Sequence, residues 1–189
     1  MITDLLLLRP GPFRHACEAP RAPAWMAAFL LGTGALYGLL VAAFQVRLGG
    51  PLQGVPVERI PGSILYGGNL LSGILVALVF HGGATLVVWL MARAVGGPGR
   101  LPELYRVTAY LLPLAAPALP YLAGHAASGG PPAPELPLAA AYLPLACLGA
   151  ALGLAGLYRA LRVTQGTGPA RTALAVALFA LFSGSILLL

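Results

Sequence analysis

The stretch "GGPGRLPELYRVTAYLLP" (Gly96–Pro113) lies between two long apolar runs of the sequence. Its opening glycines and proline predict a turn, because these residues do not continue a helix. Arg93, just before the turn, carries the charge that suits a helix C-terminus. Pro102 and Glu103 are of the types that favour the first turn of a new helix. The stretch therefore predicts one helix that ends near Arg93, a tight charged turn, and a second helix that begins near Pro102.

The sequence on both sides of this turn is strongly apolar. Of the 189 residues, 59% are hydrophobic and 8% are charged, and the mean hydropathy is +0.87, whereas roughly a quarter of the residues of soluble proteins are charged. Charged residues separate five apolar runs, each long enough at about 18 residues or more to cross the ~30 Å hydrocarbon core. The runs are Ala22–Val46, Ile60–Ala92, Val107–Pro134, Leu136–Tyr158 and Thr172–Leu189. We predict an all-α integral membrane protein, a bundle of five transmembrane helices.

Two of these runs are longer than one span. Ile60–Ala92 is too short for two spans and a turn, so we predict one long or tilted helix that starts near Gly67–Asn69. Val107–Pro134 runs into "ASGGPPAPELP" (Ala127–Pro137), whose composition is typical of a loop. Without this loop, the third span is predicted to run from about Glu103 to Gly124.

The arginines predict how the chain is oriented. With the N-terminus inside, nine of them lie in cytoplasmic segments and two, Arg47 and Arg59, in outer ones, as the positive-inside rule requires. The nine are Arg9, Arg14, Arg21, Arg93, Arg100, Arg106, Arg159, Arg162 and Arg171. We predict a multi-pass protein of the inner (plasma) membrane with a cytoplasmic N-terminus and an outward C-terminus.

Residues 1–24 are predicted to form a cytoplasmic tail, and residues 25–189 a single five-helix transmembrane domain. The tail is rich in proline, so we expect at most one short turn of helix to lie flat on the inner leaflet before the first span. Trp25 is of the type that anchors a span at the membrane interface.

Composition and motifs exclude several classes of function. All eleven basic residues are arginine, so a Schiff-base lysine and a Walker-type phosphate lysine are both absent. The arginines occur singly, without the basic stripe that nucleic-acid binding favours. The five acidic residues are scattered and no His-Glu-x-x-His motif occurs, so we predict no acid–base pair, no metal site and no cofactor. Cys17 and Cys147 are predicted to be free thiols, because they lie at different depths.

Polar residues inside the apolar runs are candidates for a transport pathway, because burying them in a membrane is costly. His81 lies near the middle of the second span and Asn69 near its outer end. In the third span, Pro113, Pro117 and Pro120 are spaced by four and three residues, so they lie on one face, and each removes a backbone donor; we therefore predict a proline kink. Broken helices of this kind build transporter sites. The alternative is structural: a neutral, hydrogen-bonded histidine and a kink that serves packing.

Glycines predict close helix contacts. The pairs Gly34–Gly38 and Gly149–Gly153 have the spacing that lets two helix backbones approach each other. The pattern allows packing within one chain, which we favour, or between chains, so homo-oligomerisation stays open.

The run "HGGATLVVWLMARAVGGPGRLPELYRVTAYLLPLAAPALP" (His81–Pro120) resembles the core of the Yip1 domain family, in which a span ends in a Gly-Gly-x-Gly turn and the next span carries a proline after a tyrosine. "LRPGPFRHACEAPRAPAW" (Leu8–Trp25) and "LYRALRVTQGTGPARTALAVAL" (Leu157–Leu178) are similar to the family's entry to the first span and to its closing loop. The residues that match the core pattern are Gly96, Gly97, Gly99, Tyr110 and Pro113.

The resemblance implies a five-span protein with its N-terminus inside. For eukaryotic members it implies vesicle trafficking and binding of Rab-type small GTPases through cytoplasmic parts. This chain looks more like the short prokaryotic branch, since it lacks the long polar N-terminal region, and that branch implies no defined activity.

Two functions are therefore weighed. The first is a non-enzymatic membrane protein that organises lipid, with anionic headgroups as the expected ligands, or an unidentified membrane or cytoplasmic protein partner. The arginines that would carry it are Arg93, Arg100, Arg106, Arg159 and Arg162. The second is a transporter or channel subunit, with a pathway near His81, Asn69, Tyr110, Pro113 and Pro117.

Overall fold

A computed structural model of the chain describes residues 1–49, 51–52, 54–98, 100–128 and 137–187. The described chain is almost entirely helical, which confirms the predicted all-α class. Its helices are α1 (Ile2–Leu6), α2 (Pro10–Glu18), α3 (Ala22–Leu48), α4 (Gly62–Ala94), α5 (Leu101–Ala109), α6 (Leu112–Ala115), α7 (Leu119–Ala127), α8 (Pro137–Gln165) and α9 (Pro169–Leu187). The two-residue strands β1 (Pro51–Leu52) and β2 (Val55–Pro56) pair antiparallel between α3 and α4.

Three of the described helices are long and apolar enough to cross a membrane: α3, α4 and the part of α8 from Ala141 to Gln165. The segments Leu101–Ala109 and Leu112–Ala127 pass the same test together as a fourth, bent span. The apolar stretch Pro169–Ser185 of α9 is shorter. The chain is therefore a multi-pass membrane protein. Its described residues contain three candidate spans, or four if the bent pair is counted, and the predicted total of five stays a prediction.

The second span is one continuous helix of 33 residues, as predicted, but it begins earlier than expected. It starts at Gly62, not near Gly67–Asn69, because the Pro61 carbonyl accepts hydrogen bonds from the backbone N–H groups of Ile64 and Leu65. At 1.5 Å per residue this helix is about 50 Å long, so it must tilt or project beyond a ~30 Å hydrocarbon core.

The predicted third span is broken between α5 and α6, and the two parts of the bent pair differ in direction by 41°. At the break, Tyr110 and Leu111 donate their backbone N–H groups to carbonyls three residues back, at 3.1 and 3.0 Å. Pro113, two residues later, has no N–H group to continue the α-helical pattern. A short 3-10 turn, Ala116–Ala118, separates α6 from α7 and contains Pro117. Most of the predicted loop Ala127–Pro137 lies outside the described residues.

The N-terminal tail holds more helix than the single turn expected, so that expectation was wrong. Helix α2 extends over nine residues with Pro10 at its first position, where a missing N–H group costs nothing. Phe13 and Ala16 on α2 are fully buried, so packing stabilises a helix that the prolines argued against. The first span begins at Ala22.

Contacts among the residues divide the chain into two compact units. Unit 1 consists of Met1–Phe29, Val79–Leu114 and Ala151–Leu189. Unit 2 consists of Leu30–Leu78 and Ala115–Ala150. Cys17 in unit 1 and Cys147 in unit 2 are both free, as predicted.

Unit 2 is built on a close crossing of α3 and α4. A Cβ atom on Gly34 would lie 2.7 Å from the Ile74 Cα atom, and one on Gly38 would collide with the Asn69 carbonyl oxygen. The Asn69 side chain donates to the Gln45 side-chain oxygen at 2.9 Å and to the Leu65 carbonyl at 2.9 Å. The Gly34–Gly38 pair therefore packs within the chain.

A second close approach in unit 2 involves α8. A Cβ atom on Gly149 would lie 2.8 Å from the Ala118 nitrogen and 2.9 Å from the Ala115 oxygen. Nearby in the same unit, the rings of Phe44 and Tyr142 meet edge to face, with centroids 5.8 Å apart.

Candidate functional site

The α4–α5 connection has the geometry that its sequence predicts. Gly96 has a φ of +84°, and the backbone N–H groups of Gly96 and Gly97 donate to the carbonyls of Arg93 (3.0 Å) and Ala92 (2.8 Å). These two bonds form a Schellman motif, which satisfies the last carbonyls of α4. Pro102 then lies in the first turn of α5, as expected.

The α8–α9 connection of unit 1 is closed by polar side chains. Gly166, just after α8, has a φ of +58° and continues into Thr167 and Gly168. The Arg162 guanidinium donates to the Thr167 carbonyl oxygen at 2.5 Å. The hydroxyl groups of Thr167 and Thr172 lie 2.8 Å apart, and Thr172 is fully buried. Arg162 therefore holds this turn in place as well as presenting a charge.

The two connections lie against each other. A Cβ atom on Gly97 would lie 2.9 Å from the Gln165 side-chain oxygen, and one on Gly96 would lie 3.6 Å from Arg171 Nη1. Glycine is thus required at position 97 because a Cβ atom would also lie 2.7 Å from the Ala92 carbonyl oxygen of the Schellman motif, a backbone atom that cannot move aside as the Gln165 side chain can. The contact brings the adjoining ends of α4, α5, α8 and α9, with their arginines, to one end of unit 1.

The predicted arginines have different local partners. Arg100 pairs with Glu103 at 3.3 Å, and Arg106 Nε donates to the Pro102 carbonyl at 3.4 Å. The Arg93 guanidinium lies 6.0 Å from the centre of the Trp89 ring. Arg93, Arg100, Arg159 and Arg162 are exposed, and Arg106 is partly exposed. Among the described residues, Arg100 alone of these five has an acidic partner within ion-pair distance.

Arg171 belongs beside these five, although sequence reasoning counted it only for orientation. It is exposed at the start of α9 and lies next to Gly96. The sequence "QGTGPAR" does indicate that Arg171 follows a turn. However, no local pattern indicates that this turn packs on the α4–α5 connection.

The residues proposed for a pathway are divided between the units. His81, Tyr110 and Pro113 lie in unit 1, whereas Asn69 and Pro117 lie in unit 2. Asn69 is hydrogen-bonded within the α3–α4 crossing described above.

His81 is 3% exposed and bridges α4 to α5. Its Nε2 atom lies 3.0 Å from the Tyr105 carbonyl oxygen, so Nε2 carries the hydrogen, and its ring packs against the Tyr105 ring with centroids 4.6 Å apart. One turn further along α4, the hydroxyl of Thr85 lies 2.8 Å from that of Thr108, which in turn donates to the Leu104 carbonyl at 2.8 Å. The hydrogen bonds of His81 and Thr85 therefore join α4 to α5.

Tyr110 lies at the break of the third span and is fully buried. Its ring meets the Phe29 ring edge to face, with centroids 5.2 Å apart, and it shares a cluster with Leu5 and Leu114. Its hydroxyl group has no hydrogen-bond partner among the described residues. The ring therefore supports packing of the N-terminal segment against the bent span.

The described residues contain no group of three histidine, cysteine, aspartate or glutamate side chains placed to hold a metal ion.

Comparison with known proteins gives one match. The family model of the Yip1 domain matches residues 5–189, nearly the whole chain. No curated protein and no solved structure gives a significant match. The match includes the Schellman turn at Gly96 and Gly97 and the break at Tyr110 and Pro113; Gly99 of the same pattern lies outside the described residues. The chain belongs to the Yip1 domain family.

Proposed function

We propose that this chain is a non-enzymatic protein of the inner membrane that binds anionic lipid, and through it organises lipid or a partner protein, with the arginines at one end of unit 1. The observation that carries the proposal is the contact between the α4–α5 and α8–α9 connections at Gly97 and Gln165. This contact gathers basic side chains that are far apart in the sequence: Arg93, Arg100, Arg106, Arg159, Arg162 and Arg171.

Electrostatics favours lipid as the ligand. A basic residue near an anionic leaflet contributes about 1 kcal/mol, and several on one surface add to a local attraction for phosphate headgroups. Since Arg100 alone of the five predicted arginines pairs with a described acidic side chain, most of the positive charge is available to headgroups. Arginine also binds phosphate through two parallel hydrogen bonds.

The proposed topology has five spans, with this face in the cytoplasm and the C-terminus outside. The distribution of arginines supports the orientation, and α9, at 19 residues and about 28 Å, has nearly the length of the hydrocarbon core. We attribute the 41° bend of the third span to Pro113, whose missing N–H group leaves the Ala109 carbonyl without its usual partner.

Lipid binding by reconstituted protein tests the proposal. In nanodiscs that contain a fluorescent phosphatidylglycerol, Arg93→Gln, Arg100→Gln and Arg159→Gln together are expected to weaken binding by up to about a hundredfold, since each contributes about 1 kcal/mol. These three are chosen because Arg162 also holds the α8–α9 turn through Thr167.

The matched control is Arg47→Gln with Arg59→Gln, which removes two arginines from the proposed outer side and should leave binding unchanged. Equal binding by the triple variant and the native chain, at equal thermal stability, would refute the arginine surface.

Transport stays a prediction, and no contact among the described residues supports it specifically. The hydrogen bond from His81 to Tyr105 is what a packed, neutral histidine makes. Solute or ion flux through proteoliposomes, compared between the native chain and His81→Ala across a pH step, tests it. Flux that depends on His81 would replace the lipid-binding proposal with a transport function.

A further inference from the structure

The short helix α1 and Leu7, the residue that follows it, expose large apolar side chains. Ile2, Leu6 and Leu7 are 53%, 49% and 60% exposed, whereas Leu5 between them is 1% exposed. One side chain of this segment is therefore fully packed against the protein, while three large apolar neighbours face outward.

The segment is held in this orientation. Leu5 belongs to the same buried cluster as Phe13 of α2 and Tyr110 of the bent span. Leu8, which joins α1 to α2, packs against that cluster and has a φ of +54°. A non-glycine residue rarely adopts this conformation, so the surrounding packing must offset its strain. The outward direction of Ile2, Leu6 and Leu7 is thus a consequence of well-packed neighbours.

The contacts of Leu8 indicate the depth of α1. Leu8 lies 3.8 Å from the position of a Cβ atom on Gly156 of α8. Exposed Arg159 marks the membrane boundary on the same helix, because a charged side chain stays at the headgroups. Gly156 precedes Arg159 by about one turn and lies roughly 5 Å further along the helix, towards its apolar middle. This is the depth at which interfacial helices bury their apolar faces, about 5–10 Å below the headgroups.

We propose that α1 is inserted into the headgroup and upper acyl region of the lipid bilayer through Ile2, Leu6 and Leu7, beside the bent third span. The occupant of this apolar surface is lipid, since the surface flanks α8 at membrane depth. The proposal goes beyond the arginine surface and does not depend on it.

Charge around α1 is complementary to that location. Asp4 pairs with Arg9 at 2.9 Å, which neutralises the one acidic side chain of the helix. Arg14 and Arg21 are exposed on the segment that follows and can meet lipid phosphates. Trp25, 38% exposed at the start of α3, is an aromatic side chain of the type found at membrane interfaces.

Depth-dependent fluorescence quenching tests the proposal. The full chain with Cys17→Ala, Cys147→Ala and Leu7→Cys carries an environment-sensitive fluorophore at position 7, where the native side chain is mostly exposed and its replacement removes little packing. The labelled protein is placed in nanodiscs with spin-labelled lipids, whose nitroxide lies near the headgroup end of the acyl chain or near its terminus. Iodide serves as the aqueous quencher.

The expected result is strong quenching by the shallow nitroxide, weaker quenching by the deep one, and little effect of iodide. Two labelled control positions define the limits. Leu71→Cys, 70% exposed on α4, is expected to report lipid, and Pro98→Cys in the α4–α5 connection is expected to report water.

Two outcomes would overturn the proposal. Quenching of position 7 by iodide, at the rate seen for position 98, would mean that α1 lies in water. Shielding from iodide and from both lipids would mean that protein, such as a second copy of the chain, covers it. The readout is depth in a neutral bilayer, so the result is independent of whether the arginines bind anionic lipid.

Discussion

At the scale of single residues, Gly97 illustrates how the end of a helix can dictate a residue type. Its backbone has no unusual φ, yet a Cβ atom would lie 2.7 Å from the Ala92 oxygen and 2.9 Å from the Gln165 side-chain oxygen. The first of these atoms belongs to the Schellman motif and cannot move without losing its hydrogen bond. The space at position 97 is therefore set from two sides.

Gly97→Ala is expected to lower the free energy of unfolding by about 1–3 kcal/mol, because the methyl group would collide with the Ala92 carbonyl oxygen and disturb the Schellman motif. The measurement is unfolding of the purified protein in one detergent, followed by circular dichroism. Gly83→Ala is the matched control: Gly83 lies inside α4 with no atom within 4 Å of its Cβ position, so the change should be neutral or stabilising. Equal destabilisation by both variants would argue against the contact at Gly97.

At the scale of elements, α4 and α5 are joined by polar side chains inside an otherwise apolar surrounding. His81 donates to the Tyr105 carbonyl, and Thr85 lies in hydrogen-bond distance of Thr108. In a membrane, apolar contact does not by itself favour one helix pairing over another, so such bonds contribute to which faces meet.

A double-mutant cycle on Thr85→Val and Thr108→Val measures this link. We expect a coupling of about 0.6 kcal/mol, with an upper value near 1.7 kcal/mol, as found for hydrogen bonds between membrane helices. Unfolding in mixed micelles provides the free energies. The control cycle pairs Thr85→Val with Thr164→Val, whose hydroxyl donates to the Ala160 carbonyl of its own helix, and it should be additive. Additivity in both cycles would show that the Thr85–Thr108 bond does not stabilise the pairing.

At the scale of the whole molecule, the number of spans decides where the C-terminus lies. With five spans the two ends of the chain lie on opposite sides of the membrane, and with four they lie on the same side. The deciding element is α9, which is apolar but shorter than the other candidate spans.

Reporter fusions test whether α9 crosses the membrane. Alkaline phosphatase fused after Leu189 should be active and a fluorescent protein at the same place dark, because the proposed C-terminus is outside. Fusions after Gly168, before α9, should behave in the opposite way. If both fusion points report the cytoplasm, α9 does not cross the membrane and the proposed topology is wrong.

Local sequence was sufficient for features that depend on neighbouring residues. Gly96 and Gly97 predicted the end of α4, and Pro102 the start of α5, because capping chemistry acts within one turn. Local sequence gave a wrong prediction for α2. Its prolines were taken to prevent a helix, although they lie in the N-terminal turn and burial of Phe13 and Ala16 stabilises the helix. Local sequence also placed the start of α4 too late, because the Pro61 carbonyl accepts hydrogen bonds from Ile64 and Leu65 and so begins the helix at Gly62.

The sequence by itself determined the membrane class, the long second span, the C-terminal end of α4 and the start of α5, because these follow from hydropathy and from chemistry within a few residues. Only the tertiary structure decided that the α4–α5 and α8–α9 connections meet at Gly97 and Gln165. The tertiary structure also decided that Leu5 of α1 faces inward and that Leu7, just after it, faces outward. The physical reason is that helices which are apolar on every side carry no periodic signal for their packed face. The face that each helix packs is determined by close approach at glycines and by a few hydrogen bonds, and both depend on residues that are distant in the chain.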